Sequence, residues 1–131
     1  MVNMIKAFSH KRLVSVFVIY LFIIFPFGLS VGHEIERFVS VQTKNIWTQL
    51  LLDTKTGKVW QISKTEDGSS SKIPINVEDL VDIKKSFNGR FRLNATENMF
   101  NYILIDSFAG DMWRCQFSLD KSEFRYIQKI K

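Results

Sequence analysis

The sequence predicts a mainly β protein: six to seven antiparallel strands from a tandemly duplicated three-stranded meander, one short helix between the copies, and an N-terminal hydrophobic targeting helix in front. Three observations carry that expectation. A positively charged N-terminus runs into an uninterrupted apolar stretch, two segments align without a gap at an offset of 53 residues, and the apolar residues in those segments fall in short, turn-bounded runs. With 131 residues, there is room for one ordinary domain behind a targeting segment.

The first element is residues 1–32. MVNMIKAFSHKR places Lys6, Lys11 and Arg12 before LVSVFVIYLFIIF, in which Ser15 is the one strongly polar side chain. A basic n-region followed by an apolar h-region is the layout of a signal peptide. Pro26 and Gly28 break the helix, and the small residues Gly28, Ser30 and Gly32 permit cleavage after Ser30 or, preferably, after Gly32. The alternative is an uncleaved membrane anchor, since residues 13–31 are about as long as the roughly 17–20 residues that a span needs. On either reading residues 33–131 form a single β domain outside the cytoplasm, periplasmic or in the cell envelope, inner-membrane anchored if the segment stays.

Splitting the chain here also corrects its charge. The first segment holds three of the 18 Lys and Arg and none of the 13 Asp and Glu, so the formal charge of +5 falls to +2 for the rest. No basic patch survives to suggest nucleic acid.

The next element is the duplication. RFVSVQTKNIWTQLLLDTKTGKVW at 37–60 aligns with RFRLNATENMFNYILIDSFAGDMW at 90–113, with eight identities in 24 columns, among them Arg37/Arg90, Asp53/Asp106, Gly57/Gly110 and Trp60/Trp113. Each copy reads as three strands. The first ends at a Thr-x-Asn turn, the second (47–53 and 100–106) is nearly all apolar as if covered on both faces, and the third opens with the tryptophan. Gly57 and Gly110 supply the positive φ that a type I turn with a following bulge requires, while Asp53 and Asp106 can accept from the turn amides.

Between the copies, KTEDGSSSKIP reads as an exposed loop. NVEDLVDIKKSFNG then reads as a short helix with Asn76 as N-cap, its apolar residues Val77, Leu80, Val81 and Ile83 turned toward the sheet. SEFRYIQKIK supports a seventh strand. The duplication suggests approximate twofold symmetry, as a continuous sheet, a sandwich or a barrel.

Candidate chemistry is sparse. His10 and His33 lie outside the repeats, so the usual Ser/His and Cys/His arrangements and a histidine metal ligand are excluded from the folded region, and no cofactor is expected. GSSSK lacks the flanks of a phosphate loop. Asn94-Ala95-Thr96 is a glycosylation triplet that matters only in a eukaryotic secretory pathway. Cys115, the single cysteine, allows no internal disulfide and is expected to be buried and inert. Asp53 and Asp106 as an acid/base pair are weighed against the turn role, which their matching positions favour. Trp60 and Trp113 are packing residues or an exposed aromatic platform. Arg37 and Arg90 are strand-edge charges or a matched pair of anion contacts.

The run T-x-N-[IM]-[WF]-x-x-x-L-[LI]-D-x-x-x-G-x-[VM]-W resembles a hairpin pattern in small uncharacterised bacterial exported proteins. The first copy follows it through Gln61. The second departs from it with Arg114 there and with FAG in its turn. The resemblance covers the two copies and implies a bacterial origin without an activity. The expectation is a non-enzymatic exported envelope protein that binds another protein, for which an inhibitor or immunity role fits. The alternative is a small-molecule or glycan binder with Trp60 and Trp113 lining a cleft between the copies, or, more weakly, an enzyme built on Asp53 and Asp106. Membrane contact is expected only through residues 13–31.

Overall fold

Each copy of the repeat folds as a four-stranded antiparallel meander. The first sheet comprises β1 (Phe38–Gln42), β2 (Thr48–Asp53), β3 (Val59–Lys64) and β4 (Ser70–Asn76); the second comprises β5 (Phe91–Ala95), β6 (Asn101–Asp106), β7 (Met112–Gln116) and β8 (Tyr126–Lys129). The computed structural model describes residues 34–120 and 122–131, so the expected signal peptide or anchor lies outside the described residues. Among the described residues no helix is long and apolar enough to cross a membrane. Two separate sheets in sequential strand order are neither one continuous sheet nor a single closed barrel.

The 53-residue offset is preserved in the pairing itself. Phe38 lies opposite Asp53 as Phe91 lies opposite Asp106, and Leu51 opposite Trp60 as Leu104 opposite Trp113. The first hairpin of each copy turns on the same chemistry: Asn45 Oδ1 accepts from Trp47 N at 2.8 Å and Asn98 Oδ1 from Phe100 N at 2.9 Å, an Asx turn in each case.

Two expectations between the copies are corrected. KTEDGSSSKIP is not an open loop: Gly68 takes φ 84° in a tight turn closed by Thr65 N to Ser69 O at 2.9 Å, and the chain returns as β4 along β3. Pro74 is tolerated because β4 is an edge strand, where a missing N–H interrupts no ladder on the outer side. No α-helix follows. Asn76 closes β4 rather than capping a helix, its Nδ2 donating to Gly57 O at 3.1 Å, and one 3₁₀ turn, Ile83–Lys85, is all the helix in this segment. Leu80 N donates to Thr56 O at 2.9 Å, a tertiary bond that replaces the helical one. Leu80 and Val81 pack on the core, while Val77 and Ile83 are exposed.

One core is shared by both sheets, with Leu50, Leu52 and Val59 from the first meeting Phe91, Leu93, Tyr102, Leu104, Trp113, Cys115 and Phe117 from the second copy. These residues are not equivalent under the 53-residue offset. In β2 the buried apolar positions are Leu50 and Leu52; in β6 they are Tyr102 and Leu104, the counterparts of Gln49 and Leu51, while Asp53 and Asp106 at the strand ends are buried in both copies. Side chains alternate faces along a strand, so the copies turn opposite faces to the core. A twofold axis would bury the same residues twice, and the expected symmetry is therefore corrected. The copies stack like successive repeats, which is also why residues 53 apart touch: Lys44 Nζ donates to Glu97 O at 3.0 Å and Asn88 Nδ2 to Ile35 O at 3.3 Å. The central strands are consequently not covered on both sides, and Leu51 and Ile103 sit half-buried on outer faces.

Candidate functional site

The matched residues of the two copies build two corners. In each, a glycine of positive φ, Gly57 at 81° and Gly110 at 79°, closes the hairpin, and its N–H donates back to the aspartate carbonyl at 2.9 Å (Asp53) and 2.8 Å (Asp106). The aspartate side chain then accepts from turn amides: Lys55 N at 2.9 Å on Asp53, and Phe108 N at 3.0 Å and Ala109 N at 3.1 Å on Asp106. From the start of the first strand of the copy an arginine closes the ring. Arg37 Nη2 reaches Asp53 Oδ2 at 3.0 Å and Arg90 Nη2 reaches Asp106 Oδ2 at 2.7 Å, with the Nε of each arginine also bonded to the carboxylate.

Burial pushes the Asp53 carboxyl up, but the Arg37 guanidinium, the Lys55 amide and the Thr56 hydroxyl outweigh it and leave the pKa below the ordinary 3.8. For Asp106 burial is again opposed, by Arg90 and the Ala109 and Phe108 amides, with the same net lowering. Both carboxylates are thus held ionised, each engaged by an arginine and a turn.

The two tryptophans do not meet. Trp113 is 7% exposed and lies in the core, its ring centroid 6.1 Å from that of Phe91, whereas Trp60 is half-buried on the outer face of the first sheet with Lys72 Nζ 4.2 Å from its centroid. A cleft between the copies lined by both indoles is therefore corrected: the opposite-face stacking sends them to different surfaces. Cys115 is fully buried beside Tyr102, and burial pushes its thiol up to about 12. No group of three or more His, Cys, Asp and Glu side chains converges in metal-binding geometry among the described residues.

One surface was missed from the sequence. At the end of the first sheet the β1–β2 turn exposes Ile46 (78%) and Trp47 (45%), and a groove of about 360 Å³ runs between Trp47, Lys64, Glu66 and Leu119. The second copy explains why that indole is open. There Phe100, the counterpart of Trp47, packs on Phe117 with centroids 5.5 Å apart, and Phe117 N donates to Phe100 O at 3.1 Å. The first copy keeps the backbone bond, Lys64 N to Trp47 O at 2.8 Å, but carries lysine where the second carries phenylalanine. The first copy therefore has the aromatic without its cover. The signal for it in the sequence lies four residues beyond the aligned segments, at Lys64 against Phe117.

No family model, curated protein or solved structure matches the chain.

Proposed function

We propose that this is a non-enzymatic exported protein of the bacterial cell envelope that binds another protein, through the groove at Trp47. The observation that carries the reading is the uncovered aromatic. Exposed Trp47 and Leu119 line one groove together with Lys64 and Glu66, and exposed Ile46 is next to Trp47 in the same turn, giving the composition of an interface core with a polar rim. The engagement of Asp53 and Asp106 by arginines and turn amides supports a structural role for these carboxylates and weighs against catalysis by them. An inhibitor or immunity role is a narrower form of the same reading.

The test is photocrosslinking in intact envelopes, with a photoreactive phenylalanine analogue placed at Trp47 of the full chain and, as a control, at exposed Val77. One discrete adduct is expected at position 47, reduced about tenfold by Ile46→Asp, as for a residue near the centre of an interface. The same diffuse products at both positions would remove the proposal.

A further inference from the structure

We infer that the two outer sheet faces are the two halves of a head-to-tail contact between copies of this chain. Within one molecule, the face of the first sheet bearing Val39, Val41, Leu50, Leu52 and Val59 packs on the face of the second bearing Phe91, Leu93, Tyr102, Leu104 and Trp113. Moving each set by 53 residues gives the outer faces. The second sheet's outer face carries Ile103, Ile105 and Met112 where the first sheet's inner face has Leu50, Leu52 and Val59. The first sheet's outer face carries Phe38, Leu51 and Trp60 where the second sheet's inner face has Phe91, Leu104 and Trp113. Each molecule therefore ends in the two mating surfaces of a contact it already makes internally. A twofold dimer would pair like faces, an arrangement for which the molecule has no example, whereas a heterologous contact repeats one.

Individual contacts point the same way. A Cβ on Gly57 would lie 3.2 Å from the Phe91 ring; its counterpart Gly110 has nothing within 4 Å, and Phe38, the counterpart of Phe91, is 47% exposed. Phe38 of a second copy would occupy the space over Gly110 as Phe91 occupies that over Gly57. At the rim, residue 44 meets residue 97 inside the chain, and the same offset brings Glu97 to Lys44 of the next copy, a pair of opposite charge.

The outer faces are more polar than the inner ones. Ser40 and Gln49 replace Leu93 and Tyr102, and Arg92 and Arg114 replace Val39 and Gln61. The contact between chains is accordingly weaker than the internal one and reversible. Lys72, which covers Trp60 in the single copy, is a flexible side chain that the incoming face displaces.

The experiment uses two differently tagged full-length chains co-expressed in one cell, one carrying Lys44→Cys and the other Glu97→Cys, treated with a short bis-maleimide. Native Cys115 is buried and does not compete. The mixed 44–97 adduct should exceed the like–like adducts by about tenfold, and Met112→Glu, at an exposed position, or Trp60→Asp should reduce it by a similar factor, as expected for central contact residues. Protection of Cys115 from maleimide shows that each variant is folded, and Met112→Glu serves if Trp60→Asp is not. Absence of an adduct, or equal 44–44, 97–97 and 44–97 adducts, would overturn the inference. Neither result bears on the groove at Trp47.

Discussion

Arg37 and Arg90 hold equivalent aspartates in different surroundings: the Arg37 side chain is half exposed, while Arg90 is 7% exposed and its guanidinium carbon lies 5.2 Å from the centroid of Phe108 and 5.9 Å from those of Phe87 and Phe91. Asp53 and Asp106 are both almost fully buried, so removing either arginine strands a buried carboxylate and should cost about 3 kcal/mol in urea unfolding, with Arg90→Met the larger loss because its guanidinium is itself buried against three rings. The acid dependence follows from the lowered carboxyl values. The unfolded chain titrates near 3.8 and the folded Asp53 and Asp106 below it, so their contribution is full above 3.8 and is lost as pH falls through the folded values. In Arg90→Met the Asp106 carboxyl keeps its burial without its guanidinium, and the deficit against wild type should narrow as pH drops below 3.8, measured by unfolding midpoints. At Cys115, burial raises the thiol to about 12, so thiol reagents at neutral pH should label it only after unfolding; fast labelling of the folded protein would contradict its placement.

The corner elements allow a sharper comparison, because one turn is used twice in different company. Gly57 and Gly110 share a φ near 80°, which strains any L side chain by about 1–2 kcal/mol. A Cβ at Gly57 would also meet Leu80 Cδ1 at 2.8 Å, while at Gly110 the space is open. Gly57→Ala should therefore destabilise more than Gly110→Ala, and equal losses would show that φ alone matters. Such corners were legible in the sequence because a D-x-x-x-G turn encodes its own backbone chemistry. β4 was not: serines and Pro74 carry the composition of a loop, and only the alternation of half-buried Ile73 and Ile75 with exposed Lys72 and Pro74 marks the strand. The expected helix failed for a related reason. Val77, Leu80, Val81 and Ile83 have helical spacing, but a segment of about ten residues has little helical stability of its own, and the Thr56 carbonyl takes the Leu80 amide. The open groove is not marked by what the copies share: Trp47 is exposed by a residue they do not share, Lys64 against Phe117.

The same lesson sets the arrangement of the whole molecule. Identical columns such as Leu51/Leu104 and Trp60/Trp113 say that the strands are equivalent but not which side is wet. That information lies in the columns that differ: Ser40/Leu93 and Gln49/Tyr102 mark one face as dry only in the second copy, Val39/Arg92 and Val41/Asn94 mark the other as dry only in the first. Substitution of the identical pairs separates stacked repeats from a twofold sandwich. Leu104 is fully buried in the shared core, and Leu104→Ala should cost about 2–5 kcal/mol through lost contact and the cavity left behind. Leu51 is half-buried on the outer face, and its truncation should cost under about 1 kcal/mol in the isolated chain, within the range of surface changes. Twofold packing would require the two costs to be equal, so urea unfolding of this one pair of variants decides between the arrangements. Repeating it across protein concentrations adds a second readout: if outer faces mate between chains, the cost of Leu51→Ala should rise with concentration while that of Leu104→Ala stays constant.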